Sequence, residues 1–183
     1  MTRVADTRPV AGVVLAGGQS RRMGSDKAQL TFDGRRLLDI ATDLLHDAGC
    51  GAVFISGRDG LPNAIPDSKN RRGPAHAILD CLNALEDRFE GVLFLPVDMP
   101  LLRAADLSSL LNAEPGTGCA WAGHPLPVFI PRGLPVPGRE HIHSVKSLLA
   151  ALPIRWLPLE STQSGRFANL NTQADVTAAR NLR

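Results

Sequence analysis

The chain has 183 residues, of which 44% are hydrophobic and 21% charged. That length and mix suit one globular domain with a sizeable core, and they exclude wholesale disorder and collagen-like or mucin-like chains. Twenty basic against 18 acidic residues leave a net charge of +2, which gives no ground for a nucleic-acid or membrane-surface binder.

Residues 1–8 read as a flexible N-terminal arm, and 9–183 as a single domain. Val10 to Ala16 is a continuous apolar, β-branched run that stops at Gly17-Gly18; a strand buried on both faces of a parallel sheet reads this way. Residues 35–48 place Leu37, Leu38, Ala41, Leu44, Leu45 and Ala48 at helical spacing, with Gly49 as the stop. A second buried strand is expected over 51–58. A helix over 74–87 has Pro74 in its first turn, and a third buried strand over 91–98 ends at Asp98-Met99-Pro100. A helix follows near 104–112. Residues 113–139 are rich in proline and glycine and read as a loop-rich region beside the substrate, with a short strand at 126–131. A helix over 143–151, short strands over 153–158 and 167–171, and a terminal helix after Thr172 complete the pass. Thr172 and Asp175 suggest an approximate capping box. The alternation argues for a layered α/β fold with a mostly parallel central sheet, whose ligands bind beyond the carboxyl ends of the strands.

Cys50, Cys81 and Cys119 are widely spaced and form no CxxC, so neither a disulfide framework nor a zinc site is expected, and a reducing compartment is. No signal-peptide run and no stretch of 18 apolar residues is present, so a cytoplasmic protein without a membrane span is expected. Trp121 and Trp156 read as packing groups rather than base-stacking ones.

The most informative segment is Leu15 to Lys27, LAGGQSRRMGSDK. Gly17, Gly18 and Gly24 free the backbone for φ > 0 and for close approach to a ligand. Successive backbone N–H groups in such a loop form a nest for anions, and Arg21, Arg22 and Lys27 add positive charge. These features describe a polyphosphate site. It is neither a P-loop nor a dinucleotide fingerprint, because Ser25 follows Gly24 and no GxGxxG is present. From composition alone, a basic surface loop without a ligand is an equal alternative.

Leu15-Ala16-Gly17-Gly18-x-Ser20-x-Arg22-Met23-Gly24-x-Asp26-Lys27 resembles, at each fixed position, the signature of the molybdenum cofactor guanylyltransferase family. The resemblance implies a three-layer Rossmann-like fold and transfer of GMP from GTP to the molybdopterin-type molybdenum cofactor, with pyrophosphate released. It implies nucleotide contacts from Leu15, Ala16, Gly17, Gly18, Ser20, Gly24 and Lys27, with Lys27 and Arg22 acting on the phosphates. Pro96-Val97-Asp98-Met99-Pro100 resembles the family's metal-binding P-x-D-x-P element, which makes Asp98 a Mg²⁺ ligand and catalytic residue. Mg²⁺ favours one or two carboxylates with phosphate and water oxygens; the alternative for Asp98 is a turn-starting residue ahead of Pro100. Asp67 resembles an aspartate that contacts the nucleotide, and otherwise is a loop residue. Asn169 and Asn171 resemble a late N-x-N-T element at the active-site edge, and otherwise belong to the cap of the last helix. His124-Pro125 resembles a His-Pro pair on the acceptor side. Partners implied are GTP and molybdenum cofactor as substrates, and molybdoenzymes or other cofactor-biosynthesis proteins, with no nucleic acid and no membrane.

The sequence departs from the family pattern at Ile55-Ser56-Gly57-Arg58 and at Gly73-Pro74-Ala75-His76-Ala77. Cytidylyl transfer to the same cofactor, a sugar-phosphate nucleotidyltransferase, and a non-catalytic nucleotide- or cofactor-binding relative are the alternatives.

Overall fold

The computed structural model describes residues 8–17, 30–66, 73–85, 88–171 and 173–180. Strand β1 (Ala11–Leu15) is buried throughout, as its apolar run requires. Ala11, Val13 and Leu15 join one hydrophobic cluster while Val14 joins another; this is the period-two alternation of a strand covered on both faces. Strand β2 (Thr31–Phe32) pairs antiparallel with β3 (Arg35–Arg36). Helix α1 (Leu37–Asp47) buries Leu37, Ala41 and Leu45.

Strands β4 (Ala52–Ser56) and β5 (Ala64–Ile65) precede helix α2 (Pro74–Leu85). Strand β6 (Gly91–Pro96) follows, then helix α3 (Ala104–Leu111). The second half supplies β7 (Gly118–Trp121), β8 (His124–Pro131), helix α4 (Val145–Ala150), β9 (Ile154–Leu157) and helix α5 (Gln173–Arg180).

Seven strands form one sheet in the order β5-β4-β1-β6-β8-β7-β9. β1 runs parallel to β4 and β6, β4 to β5, and β7 to β9. β8 alone runs against its neighbours β6 and β7. The two clusters lie on opposite faces. Leu37 and Leu45 of α1, Leu107 and Leu110 of α3, and Val176 of α5 pack with Leu93 and Leu95 on one face. Ile78 and Leu79 of α2 and Leu148 and Leu149 of α4 pack with Val13, Phe94 and Ile130 on the other. Burying each large apolar side chain contributes about 1.5–3 kcal/mol, so each helix layer is held by its own core. The expected three-layer, mostly parallel α/β fold is what the chain adopts.

Four expectations change. The helix expected from 35 starts at Leu37, because Arg35 and Arg36 pair with β2 through a turn at Asp33 (φ 51°) and Gly34 (φ 79°). The region 113–139 contains two sheet strands, β7 and β8. The β6 ladder takes residues 128–131 of β8, so Pro125 and Pro127 lie outside it and cost it no hydrogen bond. The strand expected at 167–171 is absent. A 3-10 turn at Ser164–Phe167 leads into irregular chain, and the Leu170 N–H is spent on the Asp98 carbonyl rather than on a ladder. Trp121 packs as expected, but Trp156 on the edge strand β9 is 46% exposed.

Candidate active site

The carboxyl ends of β1, β4 and β6 meet at one edge of the sheet, and backbone hydrogen bonds lock them together. Ala16 N donates to Ser56 O at 3.0 Å, and Val97 N donates to Leu15 O at 3.3 Å. Leu15 and Ala16 are buried and Gly17 is exposed, so the root of the glycine-rich loop is a fixed platform that opens outward. Arg58, just past β4, reaches across it: its Nε donates to Ala16 O at 3.3 Å. Burial lowers the pKa of that guanidinium, which stays protonated at neutral pH. Gly18, Ser20, Arg22, Gly24, Lys27 and Asp67 lie outside the described residues.

Asp98 follows β6 at the same edge and is half-buried between buried Val97 and Met99. Its carbonyl accepts the Leu170 N–H at 2.8 Å. That bond sets Asn169 and Asn171, both exposed, on either side of a residue anchored to the Asp98 turn. The Asn171 backbone N–H donates to Asp175 Oδ2 at 2.7 Å, ahead of α5; Thr172, expected as the cap, lies outside the described residues. His124 opens β8. The β6–β8 ladder ends at Phe94–Val128, and His124 pairs with Trp121 beyond a register shift in β7–β8; because β8 runs against β6, its start lies toward the end of the sheet where β6 stops. The His124 ring lies 4.8 Å from that of Phe167, which leads into the 169–171 segment. Leu15, Ala16, Gly17, Asp98, Asn169, Asn171 and His124 therefore share one edge.

The donor set at this edge is a carboxylate, two carboxamides and backbone carbonyls. These hard oxygen ligands fit Mg²⁺, which needs only one or two carboxylates. Among the described residues no group of three or more His, Cys, Asp or Glu comes together, and such a site does not require one.

Two features were not singled out as site residues from the sequence. Arg58 stood only as a departure in the 55–58 segment, although an arginine just past a buried strand is legible as an edge cation. The pair of half-buried Arg166 with buried Asp106 leaves no local signal, because its partners are separated by β7, β8, α4 and β9.

Residues 12–152 match the family model described as MobA-like NTP transferase domain, so the fold is that of a nucleotidyltransferase. The chain belongs to that family. It is 33% identical to a molybdenum cofactor guanylyltransferase of Xanthomonas euvesicatoria, over 90% of this chain and 91% of that protein. It is also 33% identical to one of Acidiphilium cryptum, over 91% and 92%. The crystal structure of molybdopterin-guanine dinucleotide biosynthesis protein A from Archaeoglobus fulgidus superposes with a TM-score of 0.70 at 18% identity, over 94% of this chain and 97% of that one. The family resemblance carried by the loop motif is thereby borne out, and the chain is a transferase. Among the described residues no helix is long and apolar enough to cross a membrane.

Proposed function

We propose that the enzyme transfers GMP from GTP to the terminal phosphate of molybdopterin-type molybdenum cofactor in the cytoplasm, with Mg²⁺, and releases pyrophosphate. The observation that supports this most is the Leu170–Asp98 hydrogen bond. Through it the Asp98 turn and the segment that carries the two asparagines meet beside the root of the loop motif. Guanine is favoured by the Leu15-Ala16-Gly17-Gly18 form of the loop and by the relatives' names.

In this reading the backbone of residues 15–24 binds the triphosphate. Lys27 and Arg22 counter the charge that grows on it, and Asp67 fixes the nucleoside. Asp98, with Asn169 and Asn171 beside it, would hold Mg²⁺, which when bound neutralises phosphate charge and holds the reacting oxygens in line. His124 faces the acceptor. An oxygen of the acceptor phosphate forms a bond to the α-phosphorus as the bond to the bridging oxygen breaks, and pyrophosphate leaves with that electron pair. No protein nucleophile is required, since orientation and fixed charge carry such a transfer. The product would pass to molybdoenzymes or other cofactor-biosynthesis proteins.

The test is pyrophosphate release with molybdenum cofactor and GTP, CTP or ATP in turn, with sugar phosphates as alternative acceptors. GTP-dependent release is expected, reduced roughly 10²-fold or more in Asp98→Asn. Release with CTP alone would make the enzyme a cytidylyltransferase. Release with a sugar phosphate would make it a sugar-phosphate enzyme. Tight nucleotide binding with no release would make it a non-catalytic relative.

A further inference from the structure

Asp106 sits in the first turn of α3 and is 3% exposed. Three segments converge on it. Its Oδ2 accepts the Arg103 N–H at 2.9 Å, and its carbonyl accepts Trp121 Nε1 at 3.0 Å. Its Oδ1 pairs with Arg166 Nη2 at 3.1 Å. The next residue, Phe167, is 3% exposed and meets the Trp121 ring edge-on at 5.7 Å. Four residues past Arg166, Leu170 donates to the Asp98 carbonyl. Both chain segments that flank Asp98 therefore run back to Asp106. The turn from β6 into α3 is tied through Arg103, and the 168–171 segment through Arg166.

Capping α3 explains only part of this. A neutral side chain at this third helical position accepts the same N–H, as Ser147 does from Ser144 in α4, so the cap does not account for a charge buried this deeply. Nor does stability, since a charge pair drawn largely out of water offsets its own desolvation poorly, and among the described residues the buried Arg166 Nε has no hydrogen-bond partner. What the charged pair does supply is direction: two fixed groups allow one arrangement of the segments they join. We propose that Arg166 and Asp106 form a clamp that sets Asn169 and Asn171 against the Asp98 turn. They are positioning residues for the transfer proposed above, on which their catalytic consequence rests.

The experiment compares Arg166→Met, Arg166→Lys, Asp106→Asn and the double variant Arg166→Met/Asp106→Asn in the full chain. Thermal unfolding identifies the variants that fold, and Arg166→Lys carries the test if Arg166→Met does not fold. The first readout needs no substrate: hydrogen exchange of the Leu170 amide. It is expected to speed up in Arg166→Met while the β1 and β6 amides keep their protection, and to recover in part in Arg166→Lys. The second is steady-state kinetics. We expect kcat to fall about 10- to 100-fold, as misplacement of a reacting constellation does, with KM for the nucleotide near wild type because the glycine-rich loop is untouched. The double variant should lose no more than Arg166→Met alone, since both remove one coupled interaction.

Unchanged Leu170 exchange in a folded variant, faster exchange with wild-type kcat, or additive losses in the double variant each overturn the clamp. If the wild-type chain releases pyrophosphate with none of the nucleotides, the functional reading fails and the exchange readout alone decides the clamp.

Discussion

His76 is 7% exposed, in the first turn of α2, and among the described residues neither of its ring nitrogens has a hydrogen-bond partner. A buried polar atom left unpaired costs about 1–3 kcal/mol. His76→Leu removes that cost at similar volume and is expected to raise the urea midpoint by the equivalent of about 1 kcal/mol; an unchanged or lowered midpoint would show that the ring is satisfied in solution. At this scale the sequence was informative where chemistry is local. The Leu15–Lys27 motif and the Pro96–Pro100 element could be read directly, because each is a contiguous string on one turn. The contact between Leu170 and Asp98 could not, since the two are brought together only by the fold.

Elements were legible in proportion to how apolar and continuous they are. β1, β4 and β6 are buried runs flanked by glycine or by Asp98, and their positions followed from that. β7 is four residues, Gly118-Cys119-Ala120-Trp121, with too few side chains to establish a period. Its glycine is required by packing: a Cβ at Gly118 would lie 2.9 Å from the Phe129 carbonyl oxygen and 2.5 Å from Ile154 Cδ1. The carbonyl belongs to the β8 backbone and cannot yield cheaply. Gly118→Ala is expected to destabilise the protein by about 1–3 kcal/mol, the cost of overpacking, measured by equilibrium urea unfolding. A loss of only a few tenths of a kcal/mol would mean that the β7–β8 and β7–β9 pairings tolerate shifts. The 167–171 segment is irregular although Phe167 and Leu170 look strand-like, because the Leu170 N–H serves the turn beside Asp98.

At the scale of the whole molecule, two cores flank the sheet, and the first contains Cys50, 5% exposed. Burial raises its thiol pKa from 9.0 to about 12. The folded chain therefore keeps a proton that the unfolded chain releases, and stability is full below 9 and falls as the pH rises toward 12. The urea midpoint should decline over that window, and Cys50→Ala should decline less steeply; identical slopes would assign the alkaline loss to other groups. All three cysteines are buried and none forms a disulfide, so slow alkylation of the native protein is part of the same picture.

Because β8 is the one reversed strand, it is its beginning, not its end, that lies at the edge where β6 stops, and the Ala122-Gly123 turn from β7 lies there with it. The loop to which the proposed function assigns the nucleotide lies wholly upstream of residue 100, and this turn lies wholly downstream. Lengthening or exchanging the turn leaves the β1–β6 ladder as it is. In the proposed reaction, such an exchange would reshape the acceptor side without rewriting the loop assigned to the transferred group.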